Sequence, residues 1–292
     1  MKNILVTGAT GHLGSAALGF LLNKVPAAKL AGLARSADKA AEQKAKGIDI
    51  RAGDYFDYSS LVQAFAGVEK LALISSSEMK DRSVQQINAV NAAKEAGVKH
   101  IIYTSMTNPS HDSHFEAGPS HFDTEEAIKN SGLIYTILRN GLYLDFIPMF
   151  IGGVPQSGAF YFPAGNGEAN FAARVDLAEA LANVLASNGH ENKIYDLTID
   201  PPLSFNEIAA AFSDLLGRRI EYVDIPQEAF QKELAAHSVP QGVITMMAGL
   251  AEGIKLNELR APSNDLEKIL GRKPAGVREA VKGLLAHAEV AK

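Results

Sequence analysis

Gly8, Gly11 and Gly14 recur at intervals of three, directly after the apolar run Ile4-Leu5-Val6. That run is too short for a helix and is closed by glycines, so it predicts a buried strand. Ala16 to Leu22 then predicts a helix. A strand, a glycine turn and a helix in this order bring backbone N–H groups and the positive end of a helix dipole to one point. Such a point suits a pyrophosphate. The spacing is G-x-x-G-x-x-G, not the commoner G-x-G-x-x-G, and glycines also mark turns that bind nothing. The position immediately after an N-terminal strand favours a dinucleotide site.

Arg35 stands 21 positions after Gly14, at the end of a second predicted strand, Lys29–Ala34. Folds that bind NAD place an acid there, which accepts hydrogen bonds from the ribose 2′-hydroxyl. A guanidinium pairs instead with a 2′-phosphate. The placement therefore points to NADP(H), with Lys39 one turn further adding charge. The alternative is a solvated arginine after a strand.

Further candidates follow the later strands. Asp54 and Tyr55 come after Ile48–Ala52; they would either contact an adenine, with the Tyr55 ring as a stacking face, or form a turn and helix cap. Ser75, Ser76 and Ser77 follow the predicted strand Lys70–Ile74, and Thr104 and Ser105 follow Lys99–Tyr103. Small hydroxyl residues after a parallel strand face the crevice where this architecture binds ligands. His111, Asp112, His114 and His121 are of metal-ligand type. The stretch from Asn108 to Pro119 nevertheless predicts a loop without a frame for convergent ligands, and no metal is expected.

The elements that must position these residues alternate regularly. Five strands are separated by predicted helices at Ala16–Leu22, Ala37–Lys46, Ser59–Phe65 and Ser83–Ala96, with connections too long for hairpins. That demands a doubly wound parallel sheet, a Rossmann fold. Ser120 to Asn130 predicts a helix opened by a Ser120/Asp123 capping box, and Leu133–Leu138 a sixth strand. Beyond this, glycines and prolines from Gly152 to Gly167 mark turns. A helix is expected over 174–185, a strand over 193–198, a Ser204/Glu207 capping box, a strand over 219–224, and helices from Pro226 onward. The chain divides into a dinucleotide domain over 1–150 and a smaller C-terminal α/β part over 151–292. The segments around 174–198 are expected to return to the first domain.

Composition narrows the partners. The 292 residues carry a net charge of −5, so no basic excess exists to neutralise nucleic-acid phosphates. There is no cysteine, which removes disulfides, thiolate nucleophiles and cysteine metal sites together. The first strand begins at once, leaving no room for a signal peptide, and no apolar run approaches a membrane span. The expectation is a cytoplasmic protein, and a homodimer where it self-associates.

Thr7-Gly-Ala-Thr-Gly-His-Leu-Gly14, Arg35, Gly53-Asp-Tyr55, Ser75-Ser-Ser77, Tyr103-Thr-Ser105 and Arg139-Asn-Gly-Leu-Tyr143 occur in that order. With them the chain resembles the NmrA-like group of atypical short-chain dehydrogenases/reductases, in the branch of bacterial NAD(P)H:quinone oxidoreductase 2 and triphenylmethane reductase. The resemblance covers essentially the whole chain, including Val25-Pro-Ala27, Gly67-Val-Glu-Lys-Leu71, Ala96-Gly-Val-Lys99 and Gly189-His-Glu-Asn-Lys193. It implies NADPH in a Rossmann domain and an acceptor pocket enclosed by the C-terminal part. By that likeness Gly8, Thr10, Gly11, His12, Leu13 and Gly14 line the pyrophosphate, and Arg35 meets the 2′-phosphate. Ser75, Ser76, Tyr103 and Thr104 lie along the cofactor, and Asn140 and Tyr143 near the nicotinamide and acceptor. His12 stands where relatives often carry glutamine or another polar residue.

Ordinary members of that superfamily use Tyr-x-x-x-Lys, in which the lysine lowers the tyrosine pKa for proton exchange with an alcohol or carbonyl. None of the eight tyrosines here has a lysine four positions on, and His121 and Glu125 stand where the pair is expected. Two uses of the cofactor remain. One is hydride transfer to a quinone-like acceptor that needs no buried acid, with Asn140, Tyr143 and His121 as pocket residues. The other is a non-catalytic NADP(H) sensor of the NmrA type. A serine hydrolase built on Ser105 lacks the G-x-S-x-G elbow.

Overall fold

The computed structural model describes residues 2–78, 80–151 and 158–290. Seven strands form one fully parallel sheet: β1 Lys2–Val6, β2 Leu30–Ala34, β3 Asp49–Ala52, β4 Val68–Ile74, β5 His100–Met106, β6 Ile134–Asn140 and, after four short strands and two α-helices, Lys193–Leu197. The order across the sheet is the last of these, then β6, β5, β4, β1, β2 and β3. The chain thus leaves β1 in one direction toward β3 and starts again at β4 in the other. The carboxyl ends of β1 and β4 form a topological switch point, where a crevice opens.

Period-two burial explains why these segments are strands. Ile4 and Val6 enter one apolar layer while Leu5 enters the other, and Ile102 and Ile101 divide in the same way. The second layer is closed by α3 Tyr58–Phe65, α4 Arg82–Glu95 and α5 Ala117–Asn130. The first is closed by α1 His12–Leu22 and by Arg174–Ala186, which pack side by side. The stretch read as one helix over Ala37–Lys46 is a 3-10 turn over Ala37–Ala40 followed by the short α2 Ala41–Ala45.

The expected capping box at Ser120 does not form. α5 begins at Ala117, so Ser120 lies inside its first turn and donates to the Ala117 carbonyl at 2.8 Å. Asp123 accepts instead from Ser83 at 3.0 Å. Pro119 fits in this first turn because its missing N–H would have no helical acceptor there. The Ser204/Glu207 capping box is present at the head of a later helix.

After β6 come β7 Leu142–Tyr143, α6 Ile147–Ile151, β8 Ala159–Tyr161, β9 Glu168–Ala169, β10 Phe171–Ala172 and α7 Arg174–Ala186. The turn marked by Gly152, Gly153 and Pro155 lies outside the described residues. β10 runs parallel to β7, and Lys70 at the start of β4 donates Nζ to the carbonyls of Leu185 and Ser187. The C-terminus of α7 therefore lies at the amino ends of the strands. Its N-terminus, at Arg174, lies at the carboxyl edge with that of α1. α7 leads into β11 Lys193–Leu197, which joins the main sheet beside β6.

The remaining elements are β12 Leu203–Ser204, α8 Phe205–Leu216, β13 Glu221–Val223, α9 Gln227–Ala236, α10 Gln241–Lys255, α11 Asp265–Leu270 and α12 Val277–Val290. β8 pairs with β13 and β9 with β12. Phe150, Phe160, Phe162, Phe205, Tyr222 and Phe230 form a ring cluster with neighbouring centroids 4.6–6.2 Å apart. These rings belong to the same continuous apolar layer as α1 and α7. No helix among the described residues is long and apolar enough to cross a membrane.

Candidate functional site

Thr7 ties the two strands of the switch point together. Its hydroxyl donates to the Ala72 carbonyl at 3.2 Å and accepts the Ile74 N–H at 2.8 Å. Beyond it the chain must turn within four residues to start α1. Gly8 takes φ +58°, a left-handed conformation that glycine adopts without strain, and the Gly11 N–H closes the turn on the Gly8 carbonyl at 2.9 Å. A Cβ at Gly14 would stand 2.2 Å from the Gly8 oxygen, so only glycine lets the helix start this close to the turn.

Gly11 is the N-cap of α1, in extended conformation, and no side chain caps the helix. Nor does an acid occupy its first turn. Ser, Thr, Asp or Asn is the usual cap because the first amides of a helix need acceptors. Here they are left to an external anion, and the donor set fits the pyrophosphate of a dinucleotide. Leu13 is a core residue, so it offers the anion only its backbone, while Thr10 and His12 are exposed.

A cleft of about 250 Å³ opens in front of this turn. Its walls are the carboxyl ends of β1 to β4, among them Gly8, Thr10, Gly11, Arg35, Asp54, Tyr55 and Ser75 to Ser77. Arg35 projects with 76% of its side chain exposed, and its nearest carboxylate, Glu78, is 3.9 Å away. Ser75 and Ser76 are pinned through their backbones: Ser75 N–H donates to Thr104 Oγ1 at 3.0 Å, and Ser76 N–H to Gln86 Oε1 at 3.2 Å.

Some expected positions turn out to have other surroundings. The Tyr55 hydroxyl lies 2.6 Å from Thr7 Oγ1 and 2.8 Å from the Ile74 carbonyl, and burial raises its pKa. The hydroxyl of Tyr55 thus locks the strand ends. Asp54 uses Oδ1 to accept the Phe56 N–H at 2.9 Å, forming the turn, while Asp57 caps α3. The aromatic face most open to the cleft is Phe56, 59% exposed. Sequence reading passed over it because an exposed phenylalanine carries no hydrogen-bonding signature.

Tyr103, Thr104 and Ser105 do not reach the cleft surface. β5 is buried on both faces, so small or polar residues at its end point into packed layers. Tyr103 is wholly buried among α3, α4 and α5, with its hydroxyl 2.7 Å from His121 Nδ1 and 3.3 Å from Gln86 Oε1. Thr104 lies one row behind Ser75. Ser105 donates to Glu125 Oε1 at 2.7 Å; Arg139 grips the same carboxylate through Nε at 2.9 Å and Nη2 at 2.7 Å.

His121, expected among the pocket residues, is instead buried on α5 against Tyr103. Loss of hydration, with the Arg82 charge nearby, pulls its pKa down to about 3. The other loop histidines go to separate partners: His111 to Asp123 at 3.6 Å and His114 to Glu258 at 2.5 Å.

Asn140 and Tyr143 stand at the end of β6, three strand spacings or about 14 Å from β1. Asn140 Nδ2 donates to the Tyr143 hydroxyl over a long 3.4 Å. Burial raises the Tyr143 pKa, keeping the phenol protonated. Arg174, expected only as the head of a helix, lies over the Tyr143 ring at 5.2 Å and over Phe146 at 5.3 Å. Nothing local in the sequence joins it to Tyr143; the β7–β10 pairing does.

The sequence pattern of the NmrA-like family matches residues 1–278. Quinone oxidoreductase 2 of Escherichia coli is 36% identical over 281 residues, covering 96% of this chain and 98% of its own. The crystal structure of that NADPH-dependent quinone oxidoreductase with NADPH superposes with a TM-score of 0.92, covering 97% and 99% of the two chains. The Citrobacter sp. triphenylmethane reductase complexed with NADP(H) is 37% identical, with a TM-score of 0.91 and coverage of 97% and 100%. NmrA, a negative transcriptional regulator in complex with NADP, shares the fold at 20% identity, with a TM-score of 0.76 and coverage of 99% and 97%.

Proposed function

Because the chain belongs to the NmrA-like family, we propose that it is an NADPH-dependent reductase delivering hydride to a quinone or a similarly electron-poor acceptor. The observation that carries this reading is the uncapped start of α1 over the Gly8–Gly14 turn, facing Arg35 along one cleft. Support for the acceptor class comes from the reductase activities of the relatives at 36–37% identity and from the missing Tyr-x-x-x-Lys pair.

Reduced nicotinamide, when bound, supplies the hydride. The amides of α1 hold the pyrophosphate, Arg35 holds the 2′-phosphate, and Phe56 gives the adenine a face to rest on. Ser75 to Ser77 border the cofactor. Asn140 and Tyr143 orient the acceptor, with the protonated Tyr143 phenol donating to an acceptor oxygen. A quinone gains electrons readily, and its proton comes from water, so the protein contributes orientation and exclusion of solvent. His121, neutral at working pH, supports the site through Tyr103 and does not serve as an acid. We place the enzyme in the cytoplasm and expect a homodimer, which sedimentation of the purified protein tests.

The deciding experiment follows NADPH oxidation at 340 nm with benzoquinone-type acceptors. Steady, acceptor-dependent oxidation is expected. Tight NADPH binding with no turnover would overturn the reading and favour a cofactor sensor.

A further inference from the structure

Arg174 opens α7 with no carboxylate partner among the described residues. Its guanidinium rests on the rings of Tyr143 and Phe146, and its Nε is buried without a hydrogen-bond acceptor. Asp145, the nearest acid in sequence, turns Oδ2 to the backbone N–H of Arg174 at 3.0 Å. Among the described residues no carboxylate comes within 4.0 Å of the guanidinium itself. The contrast with other arginines is plain: Arg139 is matched by buried Glu125, and Arg272 by buried Asp176. A permanently charged group partly withdrawn from water gains most from an anion.

The cleft in front of the glycine turn does not extend to this cation. It is lined from the ends of β1 to β4 and by the start of α4, and includes none of Tyr143, Phe146 and Arg174. These three sit past β6, on the acceptor side. Large apolar side chains stay open around them, with Phe146 37%, Met149 36% and Val175 53% exposed. Aromatic faces, an apolar rim and one unmatched cation fit a planar aromatic molecule bearing a carboxylate or sulfonate. A cationic dye would meet a like charge.

We propose that Arg174 is a specificity-determining residue that selects anionic aromatic acceptors, an inference that rests on the reductase reading. The test compares a naphthoquinone sulfonate with the parent naphthoquinone in wild type, Arg174→Gln and Arg174→Lys. In Arg174→Gln the KM for the sulfonate rises about tenfold, the KM for the parent quinone by no more than about twofold, and Arg174→Lys recovers part of the loss. Calorimetric titration of the sulfonate into the NADP⁺-saturated protein shows a matching weakening of Kd.

Equal rises for both quinones would make Arg174 a packing residue and overturn the inference. So would a weakened NADPH Kd with the acceptor ratio unchanged, since the anion would then be the cofactor's phosphate. Failure of wild type to reduce either quinone would overturn the reductase reading instead. The calorimetric comparison would still decide Arg174.

Discussion

At the residue scale, the proposed site gives Arg35 the task of choosing which dinucleotide the cleft prefers. Its guanidinium is mostly in water, and the contact with Glu78 at 3.9 Å is too long and too exposed to hold it. Replacing it with alanine removes a charge without opening a cavity. A charge-assisted pair with a 2′-phosphate is worth about 1.5–3 kcal/mol. Arg35→Ala therefore lowers the NADPH-over-NADH preference, read as the ratio of kcat/KM values, by at least about tenfold, almost wholly through NADPH. An unchanged ratio would show that the 2′-phosphate does not meet Arg35. Legibility varied sharply among such residues. The place of Arg35 in the cleft was readable because it depends on distance from a glycine turn. Tyr103 and Ser105 were not, because a strand buried on both faces gives no sign of which side chains meet solvent. Arg174 was out of reach for another reason: its contact with Tyr143 spans 31 positions and is brought about by the β7–β10 pairing.

At the element scale, α5 is fixed to the sheet by one carboxylate. Glu125, with 1% of its side chain exposed, accepts from Ser105 on β5 and from both arms of Arg139 on β6, with Lys129 at 3.6 Å. The histidine beneath the site rides on the same helix. Glu125→Ala leaves Arg139 and Ser105 without their acceptor, and a broken buried pair typically costs about 3–5 kcal/mol. Arg139 keeps 24% exposure, so the lower end, about 3 kcal/mol, is the expected loss in urea unfolding. Converting both partners, Glu125→Leu with Arg139→Met, costs much less than the two single changes added together. A double variant as unstable as that sum would show the charges act independently. The helix itself was only partly legible. Its body is amphipathic, but Ala117-Gly-Pro119 reads as loop, since glycine and proline are poor helix formers wherever they are not placed in a first turn. The strands were easier, because short β-branched and leucine-rich runs between glycine turns have few alternatives.

At the scale of the whole molecule, burying neutral histidine makes stability depend on acidity. The unfolded chain protonates His121 as pH falls through 6.5, whereas the folded protein resists until about 3. Between those values the unfolded state binds the extra proton, so stability drops as pH drops, by about 1.4 kcal/mol per unit for one group. Above 6.5 the two states bind protons alike at this site and the effect vanishes. His100 and His190 are also lowered by burial and act in the same direction. His114, raised by Glu258, acts in the opposite one. Comparing wild type with a single variant cancels these other groups. His121→Gln keeps a polar partner for the Tyr103 hydroxyl but cannot titrate. Urea unfolding at neutral pH and at about pH 4.5 should show wild type losing about 2.5 kcal/mol more than the variant over that interval. The variant is expected to be the less stable protein at neutral pH, yet the flatter in acid. Equal losses in the two proteins would mean that His121 takes up its proton in the folded state, and that the site beneath Tyr103 is open to water.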